Sequence, residues 1–221
     1  MQDLVDTIAT TRDAGGRFHA VAPEWFGDRV FGGMVVAQAL HAAIQTVDDD
    51  RRPHSMHADF LGALRPGPLE LEVESLRDGR TFATRQVTSI QNGRRALRAT
   101  VSFHGDDYGD EYQLPMPEAP APEEMPWLSD TGPGPPFDMR DIGPTEPRDD
   151  GTYRSTRRYW ARSLGPLPDE PIARFTVAAF MSDMTGTSFR PYSLGEWGTH
   201  TDASIDHALW FHREPRFDEW V

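Results

Sequence analysis

The chain has 221 residues, of which 38% are hydrophobic and 10% aromatic, and its formal net charge is -13. This composition is sufficient for a buried core, and the acidic excess argues against a nucleic-acid partner, because binding to phosphates requires a basic surface. The sequence has no cysteine, which excludes disulfides, thiolate metal sites and a cysteine nucleophile.

The N-terminal stretch MQDLVDTIATTRDAGG lacks the basic region followed by an apolar region that marks a signal peptide. The apolar runs elsewhere are much shorter than the roughly 20 residues that a membrane-spanning helix requires. We therefore expect a soluble cytoplasmic protein without a membrane span.

The first half of the chain predicts one helix and then four strands. The apolar residues of the helix fall on one stripe when plotted at about 100° per residue, whereas Gln38 and Gln45 face away from it. The residues of that stripe are Gly33, Val36, Ala37, Leu40, Ala43, Ile44 and Val47. The strands are predicted in HSMHADFLGAL, LELEVESL, FATRQVTSI and RALRATVSF, separated by the turns RPGP, RDGR and QNGR.

Strands that follow one another through tight turns pair antiparallel. A sheet with one apolar face and a helix with one apolar stripe bury both surfaces most simply when the sheet wraps around the helix. The sequence therefore predicts an α+β fold of the hotdog type.

Residues 105–151 are rich in Pro, Gly, Asp and Glu and show little periodicity, which predicts a linker. The apolar residues scattered in it predict that the linker packs against the protein surface; they are Trp127, Leu128, Phe137 and Met139. The predicted organisation is thus an N-terminal hotdog unit over residues 1–104, the linker, and a second unit over residues 152–221.

The second unit begins like the first. A strand is predicted in TYRSTRRYWARS, and a helix from Ile172 to about Met184, with Asp169 as its cap and Pro171 in its first turn. Further strands are predicted in DASIDHALWFHR and from FDEWV onward. Compared with the first unit, the repeat is short by roughly 30 residues after Val221, so we expect an incomplete second unit with an exposed sheet edge.

Asp183 is a candidate functional residue because the helical wheel places its carboxylate on the buried stripe of the second helix. A buried acid costs several kcal/mol unless it is hydrogen-bonded or neutralised, so it has either a structural partner or a catalytic task. The nearest candidate partners along the chain are Thr185 and Thr187.

The strand DASIDHALWFHR contains Ser204, Asp206 and His207. Strict alternation places Ser204 and Asp206 on one face and His207 on the other, so these neighbours do not predict a catalytic triad. His207 is interpreted as a core histidine. His54 and His57 also fall on opposite faces of their strand, and no metal site is predicted.

Gly32 and Gly33 open the first helix. They allow a ligand to approach backbone N–H groups at the positive end of that helix, where a carbonyl oxygen that develops negative charge is stabilised. The alternative is that the two glycines only permit tight packing between the helix and the sheet.

Five motifs in the same order together resemble the acyl-CoA thioesterase II family: VFGGMVVAQAL, HSMHADFL, LRDGRTFATRQVTSIQNGR, AAFMSDMTGTSF and ASIDHALWFHR. The resemblance implies a double hotdog that hydrolyses fatty acyl-CoA to free acid and CoA without a cofactor. It implies that Asp183 is the catalytic aspartate and Ser204 the hydroxyl residue, and that both hold a water against the thioester carbonyl. The glutamine that completes this set in the family would lie beyond Val221. Met34 stands where the family usually has another glutamine.

Two alternatives remain open. One is a non-catalytic protein that binds acyl-CoA or acyl chains. The other is a hotdog hydratase, which ranks last because such an enzyme needs an aspartate and histidine pair and the sequence predicts no histidine beside Asp183. Because hotdog units commonly pair edge to edge, the resemblance also implies a homo-oligomer.

Overall fold

The computed structural model describes residues 1–24, 28–105, 109–127, 136–144, 157–184 and 203–221. The helices are α1 (Gln2–Ile8), α2 (Gly32–Ile44) and α3 (Pro171–Ser182), with a 3₁₀ turn at Pro122–Glu124. The strands are β1 (Thr11–Arg12), β2 (Phe18–Ala22), β3 (Arg52–Phe60), β4 (Gly67–Asp78), β5 (Phe82–Gln91), β6 (Arg94–His104), β7 (Phe137–Pro144), β8 (Arg157–Ser163) and β9 (Asp206–Trp210).

Seven of these strands form one antiparallel sheet in the order β1-β2-β4-β5-β6-β3-β9, and β7 pairs with β8 in a separate sheet. Alternate residues of the large sheet are buried against α2, as the pleat of a half-buried sheet requires. The buried set includes Leu69, Leu71, Ala83, Val87, Leu97, Ala99, Val101 and Phe103. The predicted α+β class, with a sheet packed around a helix, is confirmed.

The four strands predicted after α2 are present, but one neighbour relation differs from the prediction. β3 pairs with β6, so the RPGP segment does not join adjacent strands, and β4 instead has β2 beside it. The sequence patterns did not predict α1, β1 or β2. In contrast, the QNGR segment is a tight hairpin between β5 and β6, with positive φ of 50° at Asn92 and 73° at Gly93.

Helix α2 is buried on nearly all sides, more than a single apolar stripe predicts. The large sheet covers one side, and α3 and α1 cover others. Gln38, which was predicted to face away from the stripe, is fully buried, and its amide Nε2 donates to the carbonyl oxygens of Thr7 and Val21. Met34 is also fully buried in the core.

The segment predicted as a linker is not loop throughout, because its residues Phe137–Pro144 form β7. Phe137 and Met139 are buried in the core, whereas the side chain of Trp127 is exposed. Leu128 lies outside the described residues. The division of the chain into two units and a linker stays a prediction.

In the second half, Glu170 rather than Asp169 is the N-cap of α3, and the Asp169 carboxylate pairs with Arg174. No strand forms at FDEWV; these residues make a turn. The backbone of Phe217 and Val221 nevertheless bonds to Ser163 and Ala161 of β8. Strand β9 does not pair with β8 but with β3, and thereby extends the large sheet. Among the described residues, none of the helices is long and apolar enough to cross a membrane.

His41 is a partly buried histidine on α2 that makes stability depend on pH. Its Nδ1 accepts a hydrogen bond from the backbone N–H of Thr10, at 3.2 Å, and burial lowers its pKa from 6.5 to about 4. Since the unfolded chain binds this proton more readily, the contribution to stability is complete above pH 6.5 and is lost as the pH falls towards 4.

We expect the free energy of unfolding to decrease between pH 7.5 and 4.5 by on the order of 2–3 kcal/mol more in the unaltered protein than in His41→Gln. Urea denaturation of both proteins at the two pH values measures this difference. Equal pH dependence of the two proteins would contradict the assignment to His41.

Candidate active site

Asp183 lies at the C-terminal end of α3, where that helix packs against the N-terminal end of α2. Its side chain is buried, as the helical wheel predicted, and the whole residue is 7% exposed. Oxygen Oδ2 accepts a hydrogen bond of 2.7 Å from the backbone N–H of Gly33 in the first turn of α2. The carboxylate therefore occupies the positive end of that helix.

Two residues from the segment around β9 also approach this carboxylate. The hydroxyl of Ser204 lies close enough to lower the pKa of the Asp183 carboxyl group, and Nδ1 of His207 lies 3.9 Å from Oδ1. The chain is held in place there by a backbone bond of 2.9 Å from the Phe60 N–H to the Ile205 carbonyl. The structure thus brings together Asp183 and Ser204, the pair that the family resemblance implied, and adds His207.

Strict strand alternation failed at this point because β9 begins only at Asp206. Ser204 precedes the strand and is free to turn towards Asp183, on the side that His207 also faces. The prediction that no histidine lies beside Asp183 is wrong. Because the hydratase was ranked last on that prediction, the reason for this ranking no longer holds. Asp206 itself is exposed and lies 3.6 Å from His57 on the other face. Thr185 and Thr187, the predicted partners, lie outside the described residues.

The burial of Asp183 raises the pKa of its carboxyl group. A positive charge on His207, the hydrogen bond from Gly33 and the nearby Ser204 hydroxyl act in the opposite direction, but they are smaller effects. A carboxylate with a raised pKa is a stronger base, which suits it to accept a proton from water near neutral pH.

The two glycines at the start of α2 make the approach of α3 possible. A Cβ on Gly33 would lie 2.5 Å from the backbone oxygen of Phe180, and one on Gly32 would lie 2.8 Å from Oδ2 of Asp183. The N–H of Gly33 is occupied by Asp183 and is not free for a ligand in this structure. These contacts support the packing interpretation, and a role of the two glycines in substrate binding stays a prediction.

Within the described parts of the chain, no group of three or more histidine and acidic side chains is arranged to hold a metal ion. Strand β3 has a bulge between Pro53 and Ser55, which interrupts the alternation used in the prediction. His54 lies 2.8 Å from the hydroxyl of Ser102, whereas His57 faces Asp206.

Two cavities lie away from this carboxylate. One, of about 760 Å³, is bordered by α1, β2 and β4, and the other, of about 380 Å³, lies between β3, β6 and the exposed Trp210 of β9. Neither has Asp183 or Ser204 in its lining.

The chain is similar to known proteins over most of its length. The profile of the acyl-CoA thioesterase N-terminal domain matches residues 21–104, and that of acyl-CoA thioesterase matches residues 140–221. Acyl-CoA thioesterase 2 of Haemophilus influenzae is 34% identical over 87% of this chain and 74% of its own length. Human acyl-coenzyme A thioesterase 8 is 29% identical, over 87% of this chain and 69% of its own.

Solved structures show the same relationship. The acyl-CoA thioesterase II TesB2 of Mycobacterium marinum superimposes with a TM-score of 0.81 and 31% identity, over 98% of this chain and 81% of that one. A tesB protein of Mycobacterium avium subs paratuberculosis gives a TM-score of 0.78 and 32% identity, over 99% of this chain and 83% of that one. The chain belongs to the acyl-CoA thioesterase II family.

Proposed function

We propose that the protein hydrolyses acyl-CoA thioesters to free carboxylic acid and CoA, with Asp183 and Ser204 as its catalytic residues. The observation that carries the proposal is the convergence of the Ser204 hydroxyl and the Gly33 N–H on the buried carboxylate of Asp183. Membership in the acyl-CoA thioesterase II family supports the thioester as the bond that is cleaved.

In the proposed reaction, the oxygen of a water molecule attacks the thioester carbonyl carbon while Asp183 accepts a proton from that water. The carbon–sulfur bond then breaks, the electron pair leaves with the CoA thiolate, and the proton held by Asp183 returns to sulfur or to solvent. Because a thiolate is a good leaving group, strong acid assistance is unnecessary. No covalent acyl-enzyme is required, and none is available through cysteine.

The hydrogen bonds around Asp183 define how its two oxygens are used. The Gly33 N–H engages Oδ2, which holds the carboxylate in one orientation and leaves Oδ1 for the reacting water. The Ser204 hydroxyl lies near the same carboxylate, and its role is to orient that water relative to Asp183, the base.

Release of free thiol from acyl-CoA of increasing chain length tests the proposal. The absence of cysteine means that the protein itself contributes no thiol to the assay. We expect thiol release that rises with enzyme concentration and saturates with substrate. Binding of acyl-CoA without thiol release would favour the acyl-CoA binding protein, and loss of an enoyl-CoA double bond without thiol release would favour the hydratase.

A further inference from the structure

The hydrogen-bond partners of His207 indicate which of its two ring nitrogens carries the hydrogen. Its Nε2 lies 2.8 Å from the hydroxyl oxygen of Ser182, and that hydroxyl donates its hydrogen to the carbonyl oxygen of Ala179, also at 2.8 Å. A hydroxyl has one hydrogen to donate, so towards His207 it acts as the acceptor. The hydrogen of the neutral imidazole is therefore assigned to Nε2.

With the hydrogen of the neutral ring on Nε2, nitrogen Nδ1 presents a lone pair. It lies 3.9 Å from Oδ1 of Asp183, which is also an acceptor. Both side chains are largely buried, with 15% of His207 and 9% of Asp183 exposed. Two buried acceptors that face each other are unfavourable unless a donor lies between them.

A water molecule can satisfy both acceptors, because it has two hydrogens to donate. When both of its hydrogen bonds are near 2.8 Å, the two acceptor atoms lie roughly 4–5 Å apart. The observed separation of 3.9 Å between Nδ1 and Oδ1 is close to this spacing. A water that donates to both acceptors directs its own lone pairs away from them. That is the orientation that a nucleophile requires.

We propose that His207 is a positioning residue for hydrolysis: fixed by Ser182, its Nδ1 and Oδ1 of Asp183 hold the attacking water between them. The inference rests on the proposed function and adds a residue to it. As the carbon–oxygen bond forms, Asp183 accepts one hydrogen of the water as a proton, and the hydrogen bond to Nδ1 keeps the oxygen aligned with the carbonyl carbon.

Groups from two packed elements face the imidazole. Helix α3 contributes Ser182 and Asp183, and Asp183 is its charged neighbour among the described residues. Strand β3 places Ala58 opposite His207, and the carboxylate of Asp206 lies by His57 on the other face of the sheet. Among the described residues, Asp183 is therefore the charged side chain that the imidazole faces.

His207→Gln tests the inference, because a glutamine amide reaches the position of Nε2 and can still donate to Ser182, but it has no acceptor at the position of Nδ1. We expect kcat to fall at least about tenfold with little change in KM, because the water loses one of its two acceptors.

Three further variants complete the design. His207→Asn places an amide oxygen near the position of Nδ1, and it should recover part of the kcat that His207→Gln loses. Ser182→Ala keeps the imidazole but removes the acceptor for Nε2–H, so it should lower kcat by a smaller factor without moving KM. His57→Gln, an exposed histidine on the other face, is the matched control and should leave kcat unchanged.

The outcomes separate this inference from the function on which it rests. If His207→Gln and Ser182→Ala both keep kcat within about twofold, His207 is structural and the inference is wrong. Loss of activity in Asp183→Asn would then leave the proposed function intact. If Asp183→Asn also keeps full activity, the proposed catalytic role of Asp183 is wrong, and the inference about His207 that rests on it is wrong as well. Thermal unfolding of each variant shows whether a lost activity reflects a lost fold, and Ser182→Ala decides the matter if His207→Gln does not fold.

Discussion

Asp183→Asn is expected to lower kcat for acyl-CoA hydrolysis by about 10²–10⁴-fold, the range typical for loss of a general base. Asparagine keeps an oxygen that accepts the hydrogen bond from the Gly33 N–H, so the local structure should be retained. What it removes is the negative charge that accepts a proton from water. KM should change little, because the substitution alters the reacting group and not the contacts of the CoA moiety.

The fold of this variant should be at least as stable as that of the unaltered protein at neutral pH. Burial raises the pKa of the Asp183 carboxyl group, which means that its ionised form is held at a cost in the folded state. A matched control is Asp206→Asn, which removes an exposed carboxylate from β9. Full activity in Asp183→Asn, or equal losses in both variants, would show that Asp183 is not the base.

Gly33→Ala is expected to reduce the free energy of unfolding by about 1–3 kcal/mol or more, the usual cost of overpacking a core. The added Cβ would lie 2.5 Å from the backbone oxygen of Phe180 and 2.6 Å from ring carbon Cε1 of Phe31. The Phe31 ring can rotate away, but the Phe180 oxygen belongs to the backbone of α3 and moves only with that helix. Separation of the helices would also lengthen the hydrogen bond from Gly33 to Asp183, so kcat should fall as well.

Denaturant unfolding and thiol release measure the two effects. Gly105→Ala is the control, because a Cβ at Gly105 would meet no atom within 4 Å. Unchanged stability of Gly33→Ala would mean that α2 and α3 are able to move apart freely, and the close contact between them would then not fix the position of Asp183.

The part of the fold that depends on local pattern was predictable from the sequence. Alternation in FATRQVTSI and RALRATVSF predicted β5 and β6, and the Asn-Gly pair between them predicted their hairpin. The periodicity of the second helix placed Asp183 on a buried face, where the structure has it. These features follow from neighbours within a few residues of one another. The homo-oligomer depends on contacts between chains, and it stays a prediction.

The sequence by itself determined the fold class, the family and the burial of Asp183, because helical and strand periods and the ordered motifs are properties of the chain alone. Only the tertiary structure decided that β3 pairs with β6, that β9 joins the large sheet beside β3, and that Ser204, His207 and Gly33 meet at one carboxylate. Gly33 and Asp183 are separated by 150 positions, and their contact is set by the packing of α3 against α2. Periodicity specifies which face of an element is buried, but which other element covers that face is settled by the packing of the whole chain.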